Sequence, residues 1–230
     1  MDIETHDRAA LFERLALERY SCRGFRPEPL PRATIDRILT IAQRSPSWCN
    51  SQAWQLAVGS ASATERARRA LLAHVRGGGA AQADFDWPRE YRGVYQQRRR
   101  ECGFQLYSAV GVPRGDKEGY ARQTLENFRL FGAPHLAILT SDPGLGPYGA
   151  VDVGGYVQVL LLAMQAHGVA AIPQAALANY SALIKHELEI PQERLMVCGV
   201  SFGYEDTEHP ANSYRTSRAP LTQAVRFLDA

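Results

Sequence analysis

The sequence predicts an α+β fold, and three observations carry that expectation. Stretches with apolar residues at helical spacing are interspersed with short β-rich runs. The length of 230 residues lies at the upper end of the single-domain range, so one domain over residues 1–230 is expected. A hydrophobic fraction of 45% beside a charged fraction of 22% is enough to bury a sizeable core.

In chain order, residues 8–19 place Ala9, Leu11, Phe12, Leu15 and Ala16 on one helical face. Residues 31–43 do the same with Ile35, Ile38, Leu39 and Ala42, with Pro31 suited to the first turn. Residues 54–58 read as a short strand, 62–75 as a helix, and 76–86, with three successive glycines, as a loop. Residues 88–131 are rich in Arg, Gln, Glu and Tyr and read as two or three helices broken near Gly111 and Gly115, an excursion around the core. Residues 135–140 form a β-rich run and 169–172 a short strand. Between them, 151–167 is a helix apolar on nearly every face, which implies burial and suits packing against a partner subunit. A helix over 181–188, a strand over 195–202, and a last strand or tail over 221–228 complete the reading.

Composition also excludes. A formal charge of +2 is too small for the broad basic footprint of non-specific nucleic-acid binding. The four cysteines, Cys22, Cys49, Cys102 and Cys198, show no metal-ligand spacing, which suits a reduced cytoplasmic interior, and the six histidines show none either. The start, Met1 to Asp7, is acidic and polar where a secretory signal needs basic and apolar residues. The longest apolar run, 156–166, is short for a membrane span and is interrupted by Gln158 and Gln165.

Two familiar patterns lack their context. Gly144 to Gly149 matches G-x-G-x-x-G, but the Ser141-Asp142-Pro143 turn separates it from the strand. No acidic residue ends the next strand to hold a ribose, so a connecting loop is expected. Gly199 to Gly203 matches G-x-S-x-G, but turn-forming residues follow it rather than a helix, which makes Ser201 a strand residue.

Two other segments carry chemistry. Arg19-Tyr20-Ser21-Cys22-Arg23 leaves the first helix as extended chain, so Arg19, Ser21 and Arg23 share a face, and two guanidinium forks flanking a hydroxyl suit a phosphate. Between a helix and a strand lies Ser45-Pro46-Ser47-Trp48-Cys49-Asn50-Ser51-Gln52-Ala53-Trp54, whose hydroxyls and amides offer paired donors and acceptors to a heterocycle edge. In this order the two resemble the Arg-x-Ser-x-Arg segment and Ser-Pro-Ser-x-x-Asn-x-Gln-Pro-Trp loop of the nitroreductase family. Phe131 to Pro134, Asp152 to Gly168, Glu189 to Pro191 and the tail Asn212 to Leu221 extend the likeness over nearly the whole chain, which looks closest to the members that reduce nitrobenzoate-like compounds.

That resemblance implies a three-layer α-β-α sandwich with a mixed, mainly antiparallel sheet. It also implies a homodimer that holds one FMN at each subunit interface and moves hydride from NAD(P)H through flavin N5 to a small nitroaromatic or quinone-like acceptor, in a ping-pong cycle. Carried over residue by residue, Arg19, Ser21 and Arg218 match positions holding the phosphate and ribityl chain, and Arg23 matches a basic residue near flavin N1 and O2. Pro46, Ser47 and Asn50 match a loop supplied by the neighbouring subunit, and Pro173, Gln174, Ala175 and Ala176 match the segment whose backbone N–H meets N5. Tyr20, Trp48, Gln52 and Arg215 complete the candidate set, with Asn127 and Arg129 as further candidates for the pyrimidine edge. Trp48, Tyr91, Tyr95, Phe104 and Tyr107 are candidates to line the acceptor channel. Ala53 stands where the family has Pro, and Ala175-Ala176 where it often has Glu-Gly, which leaves backbone donation intact but removes any side-chain role. No metal and no catalytic acid or base from the chain is required. The alternatives are a relative that removes halogen reductively or reduces an activated alkene, and a protein that binds flavin without turnover.

Overall fold

A computed structural model describes residues 5–228; the acidic start over Met1 to Glu4 lies outside them. The elements are α1 (Thr5–Glu18), α2 (Arg32–Ala42), β1 (Gln55–Gly59), α3 (Ala61–Arg76), α4 (Gly93–Ala109), α5 (Lys117–Phe128), β2 (His135–Ser141), α6 (Gly146–Ala166), β3 (Ala170–Gln174), α7 (Ser181–Glu187) and β4 (Leu195–Gly203). The strands form one sheet in the order β1-β2-β4-β3, and every ladder in it is antiparallel. Parallel pairing enters at the outer edge of β3, where Ser21 bridges Ala171.

Alternation along the strands builds the three layers. On β2, Ala137 and Leu139 face α2 and α6 in a core that includes Ile38, Tyr156, Leu160 and Phe202. Leu136 and Ile138 face the opposite way, packing with Leu71 of α3, Phe128 of α5 and Ile184 of α7. Both layers therefore share one sheet, and the central strands β2 and β4 are buried on both faces. Ser201 is one of their residues: it is fully buried and donates to Gln174 Oε1 at 2.5 Å.

Some boundaries differ from the sequence reading. The Gly144–Gly149 stretch is not a loop: a 3-10 turn over Pro143–Leu145 leads into α6, which starts at Gly146 rather than 151. Gly146 makes the change of direction with φ of +54°, and Pro147 fits the first turn, where no N–H is needed. With that extension, the helix spanning Pro143–Ala166 is long and apolar enough to cross a membrane by length and composition; its Val153, Tyr156, Val157, Leu160, Leu161 and Met164 pack into the core described above. The 221–228 segment is no strand; it holds a 3-10 turn, Leu221–Gln223, and lies exposed. The excursion resolves into α4 and α5, and α4 has no buried residue. On α1, Leu11, Phe12 and Leu17 stay exposed, so its apolar residues are not covered within one chain.

Away from the site, Asp84 staples the loop after α3 to α7 and β4. Its carboxylate accepts from Ser181 Oγ at 2.5 Å, from the Met196 N–H at 2.7 Å and from Lys185 Nζ at 3.2 Å. Lys185 is 3% exposed and also donates to the Gln192 and Arg194 carbonyls. Removing one partner of a buried pair strands the other charge, at about 3–5 kcal/mol. Asp84→Ala is therefore expected to lower the melting temperature by roughly 10 °C for a chain of this size, measured by calorimetry.

Candidate functional site

Beyond Glu18 the chain leaves α1 and runs extended along β3. The Cys22 N–H donates to the Ala171 carbonyl at 3.1 Å, and further on the Arg26 N–H donates to the Tyr204 carbonyl at 2.9 Å. The Arg23 N–H is held by Asn212 Oδ1 at 2.7 Å, while Asn212 Nδ2 donates to the Gly24 and Asp206 carbonyls. Alternation then sorts the side chains. Cys22 is fully buried, with its thiol pushed up to about 11 by burial and therefore kept protonated, whereas Arg19, Ser21 and Arg23 turn to the other side.

There they line a cleft of about 400 Å³ with Tyr20, Cys102 of α4, and Tyr214, Arg215, Thr216 and Arg218 of the tail. That volume is within the range of small-ligand pockets. Tyr20 forms the wall: its hydroxyl donates to Glu205, and the Arg215 guanidinium lies 3.5 Å from its ring centroid. Burial, and then the bond to Glu205, raise its pKa and keep the phenol neutral.

The electrostatics of the cleft are one-sided. Burial lowers the Arg19 pKa, and the nearby charge of Arg218 lowers it further. Among the described residues, no carboxylate lies within 4.0 Å of the basic groups of Arg19, Arg23, Arg215 or Arg218. Arg218 Nη1 donates only to its own stretch of chain, at Thr216 and Ser217. Arg23 Nη1 donates to the Ser21 carbonyl at 3.1 Å and to the Tyr214 hydroxyl at 3.3 Å. Like charges gathered without a carboxylate partner are unfavourable on their own and favourable around an anion, and a phosphate with two charges matches the paired forks of Arg19 and Arg218.

Pairing of Ser21 with Ala171 sets this segment beside the start of β3, and the strand runs on to Gln174. Pro173 is half-buried, and Ala175 opens a 3-10 helix, Ala175–Asn179, whose leading N–H groups have no partner within the helix. Ala175 is exposed and Ala176 half-buried, so this backbone can meet a ligand. The Gln174 side chain is instead buried and used internally, with Nε2 donating to the Asn127 carbonyl at 2.9 Å. That bond brings Asn127 near the end of β3. Arg129 is not brought to the cleft: its guanidinium lies 3.5 Å from Glu126, on an exposed surface.

The loop containing Pro46, Ser47, Trp48, Asn50 and Gln52 lies elsewhere and contributes nothing to the arginine cleft. Cys49, Asn50 and Gln52 all have φ near +50°, a costly backbone for residues other than glycine. Asp152 of α6 holds it by accepting from the Trp48 N–H at 3.1 Å and Ser51 Oγ at 3.4 Å, and the Gln52 N–H donates to Ser47 Oγ at 2.9 Å. Trp48 packs edge-on against Tyr148 with centroids 4.4 Å apart, and both rings remain more than half exposed. The loop is thus a hydrogen-bonded edge presented outward from α6. Of the channel candidates, Tyr91, Tyr95 and Phe104 are exposed, while Tyr107 stacks with Tyr120 at 4.3 Å.

Asn212, Tyr214, Thr216 and Cys102 were not candidates from sequence. Asn212 and Tyr214 fall in the tail that carried the resemblance, yet only its arginines drew attention, because a phosphate argument selects for charge. Cys102 is distant in sequence and gives no signal of its own.

The nitroreductase family model matches residues 16–204, which covers most of the chain. The chain belongs to the nitroreductase family. It is 37% identical over 227 residues to nitroreductase NfnB of Mycolicibacterium smegmatis, covering 97% of this chain and 95% of that protein. It is 32% identical to 4-nitrobenzoate reductase of Pseudomonas putida, covering 94% and 95%. The solved structure of the FMN-dependent nitroreductase NfnB from Mycobacterium smegmatis in complex with NADPH superposes with a TM-score of 0.91 at 36% identity, covering 97% of this chain and 100% of that one.

Proposed function

We propose that this nitroreductase-family chain is a cytoplasmic, homodimeric, single-domain oxidoreductase that binds FMN and uses NAD(P)H to reduce nitroaromatic or quinone-like acceptors. The observation that carries the reading is the convergence of Arg19, Ser21, Arg23 and Arg218 on one cleft, with no carboxylate among the described residues to neutralise them. FMN, when bound, supplies the hydride chemistry, taking reducing equivalents from the nicotinamide and passing them to the acceptor. The residues of the chain bind and tune it. Arg19 and Arg218 would hold the phosphate, Ser21 would reach the ribityl chain, and the N–H groups opening the Ala175–Asn179 turn would face the ring.

Arg23 has the electrostatic part. Its guanidinium is held at the cleft by Ser21 and Tyr214, and in this reading that fixed cation would stabilise negative charge on the reduced ring. Arg23→Ala is expected to lower the reduction potential of the bound flavin and slow its reduction by NAD(P)H roughly tenfold, a loss of ~1.4 kcal/mol. Stopped-flow reduction and a dye-coupled potential measurement check it.

Dimerisation is supported by apolar surface that one chain leaves uncovered. Tyr148 and Val151 of α6 are more than half exposed, Gly154 and Gly155 lie on the same exposed stripe, and Phe12 and Leu17 of α1 add to it. In a dimer the 46–52 loop would serve the partner's cleft. The reading is tested by the visible spectrum of the purified protein, followed by NADH or NADPH consumption with a nitroaromatic. A yellow protein that oxidises the donor only when acceptor is present supports it; a flavin-loaded protein without turnover overturns the activity.

A further inference from the structure

A second cavity, of about 550 Å³, shares Tyr214 with the arginine cleft. Its walls include Phe104 and Ser108 of α4, Ser213 of the tail, and Arg114, which stands in the turn between α4 and α5. The Arg114 guanidinium lies 4.6 Å from the Phe104 ring centroid. That stacking orients a planar cation and leaves its N–H edge available. Among the described residues, Arg114 has no hydrogen-bond or carboxylate partner. Glu101, the one carboxylate on the cavity wall, is held by Gln97 Nε2 at 2.8 Å on its own helix. Tyr214 joins the two spaces, since its hydroxyl accepts from Arg23 while its residue borders both cavities.

We infer that this Phe104–Arg114–Tyr214 cavity is an acceptor subsite selective for aromatic anions, with Arg114 pairing with a carboxylate on the substrate ring. The inference rests on the proposed function, because it places the acceptor next to the end of the cleft where Arg23 sits. Three properties of the cavity point the same way. It offers aromatic surface for a flat ring, the Ser108 hydroxyl for a polar substituent, and one cation not committed to the fold. A neutral nitroaromatic would use the first two and gain nothing from the third. An anionic one would gain a charge-assisted bond to Arg114.

The test compares 4-nitrobenzoate with 4-nitrobenzamide, which has nearly the same shape and no charge, binding to the FMN-loaded protein in calorimetric titrations. Wild type is expected to bind the anion about tenfold tighter or more, with the advantage shrinking as salt is raised. Arg114→Gln should bring the two affinities together by weakening the anion alone, and Arg114→Lys should keep most of the preference. Arg114 is exposed and supports no core packing, so both variants are expected to fold. Equal affinities in wild type, or a preference unchanged in Arg114→Gln, would overturn the subsite. Turnover separates the two claims: selective binding without reduction of either compound supports the subsite and overturns the proposed activity. Reduction of both compounds without selectivity does the reverse.

Discussion

Arg218→Ala is expected to emerge from purification largely without flavin, with an FMN dissociation constant raised ~10- to 100-fold. The substitution removes one charged hydrogen-bonding partner, worth roughly 1.5–3 kcal/mol. Arg218 is exposed and spends its donors only on Thr216 and Ser217, so the substitution removes a ligand group without disturbing the core. Arg19→Ala should act in the same direction through a second mechanism as well. In the free protein the two guanidiniums oppose one another, and burial adds to the cost for Arg19. Part of the affinity for phosphate is therefore the relief of that repulsion, and the two substitutions should be less than additive. Fluorescence titration with FMN at low and high ionic strength measures both effects. An Arg218→Ala protein that keeps a full complement of flavin through dialysis contradicts the assignment.

The second large effect is expected at the surface of α6. Gly154 and Gly155 sit mid-helix, where each costs about 1 kcal/mol relative to alanine, and a Cβ at either would meet open space within the chain. Glycine there has no use inside the subunit; on a helix surface it permits close approach of another backbone. Val151, 65% exposed and one turn before them, lies on the same stripe. Val151→Arg is expected to shift the protein from dimer to monomer, weakening association at least ~100-fold, because an unpaired charge would be buried in a close contact. FMN retention should fall with it, since the loop carrying Asn50 and Gln52 would no longer reach a partner's cleft. Light scattering with in-line absorbance reads mass and flavin together. A monomeric variant with undiminished flavin would refute the two-subunit site.

Much of this architecture was legible in the sequence because periodicity and burial agree. Strands β2 and β4 are apolar almost throughout since both faces are covered, and α2 presents Ile35, Ile38 and Ala42 at regular spacing to a single core. The start of α6 was missed because Gly144, Gly146 and Gly149 with two prolines look like a loop. A 3-10 turn and a left-handed glycine turn that composition into a helix entry. The 221–228 segment reads as a strand or a tail, and it is a tail: within one chain its apolar residues find no sheet edge to join and remain exposed. At the site, the Arg-x-Ser-x-Arg alternation was readable because extended chain obeys a simple two-residue rule. Asn212 was not: its importance lies in satisfying the Arg23 N–H and the Gly24 carbonyl across nearly the full length of the chain, which no local pattern reports.

The central claim is that converging arginines grip the phosphate of FMN, so the most direct measurement compares FMN with riboflavin, which carries the same ring and ribityl chain without the phosphate. In equilibrium titrations on flavin-stripped protein, one FMN per chain should bind, and riboflavin should bind ~100-fold more weakly or not at all, in keeping with the loss of two charged contacts. Equal affinity for the two flavins, or binding of neither, would contradict the account.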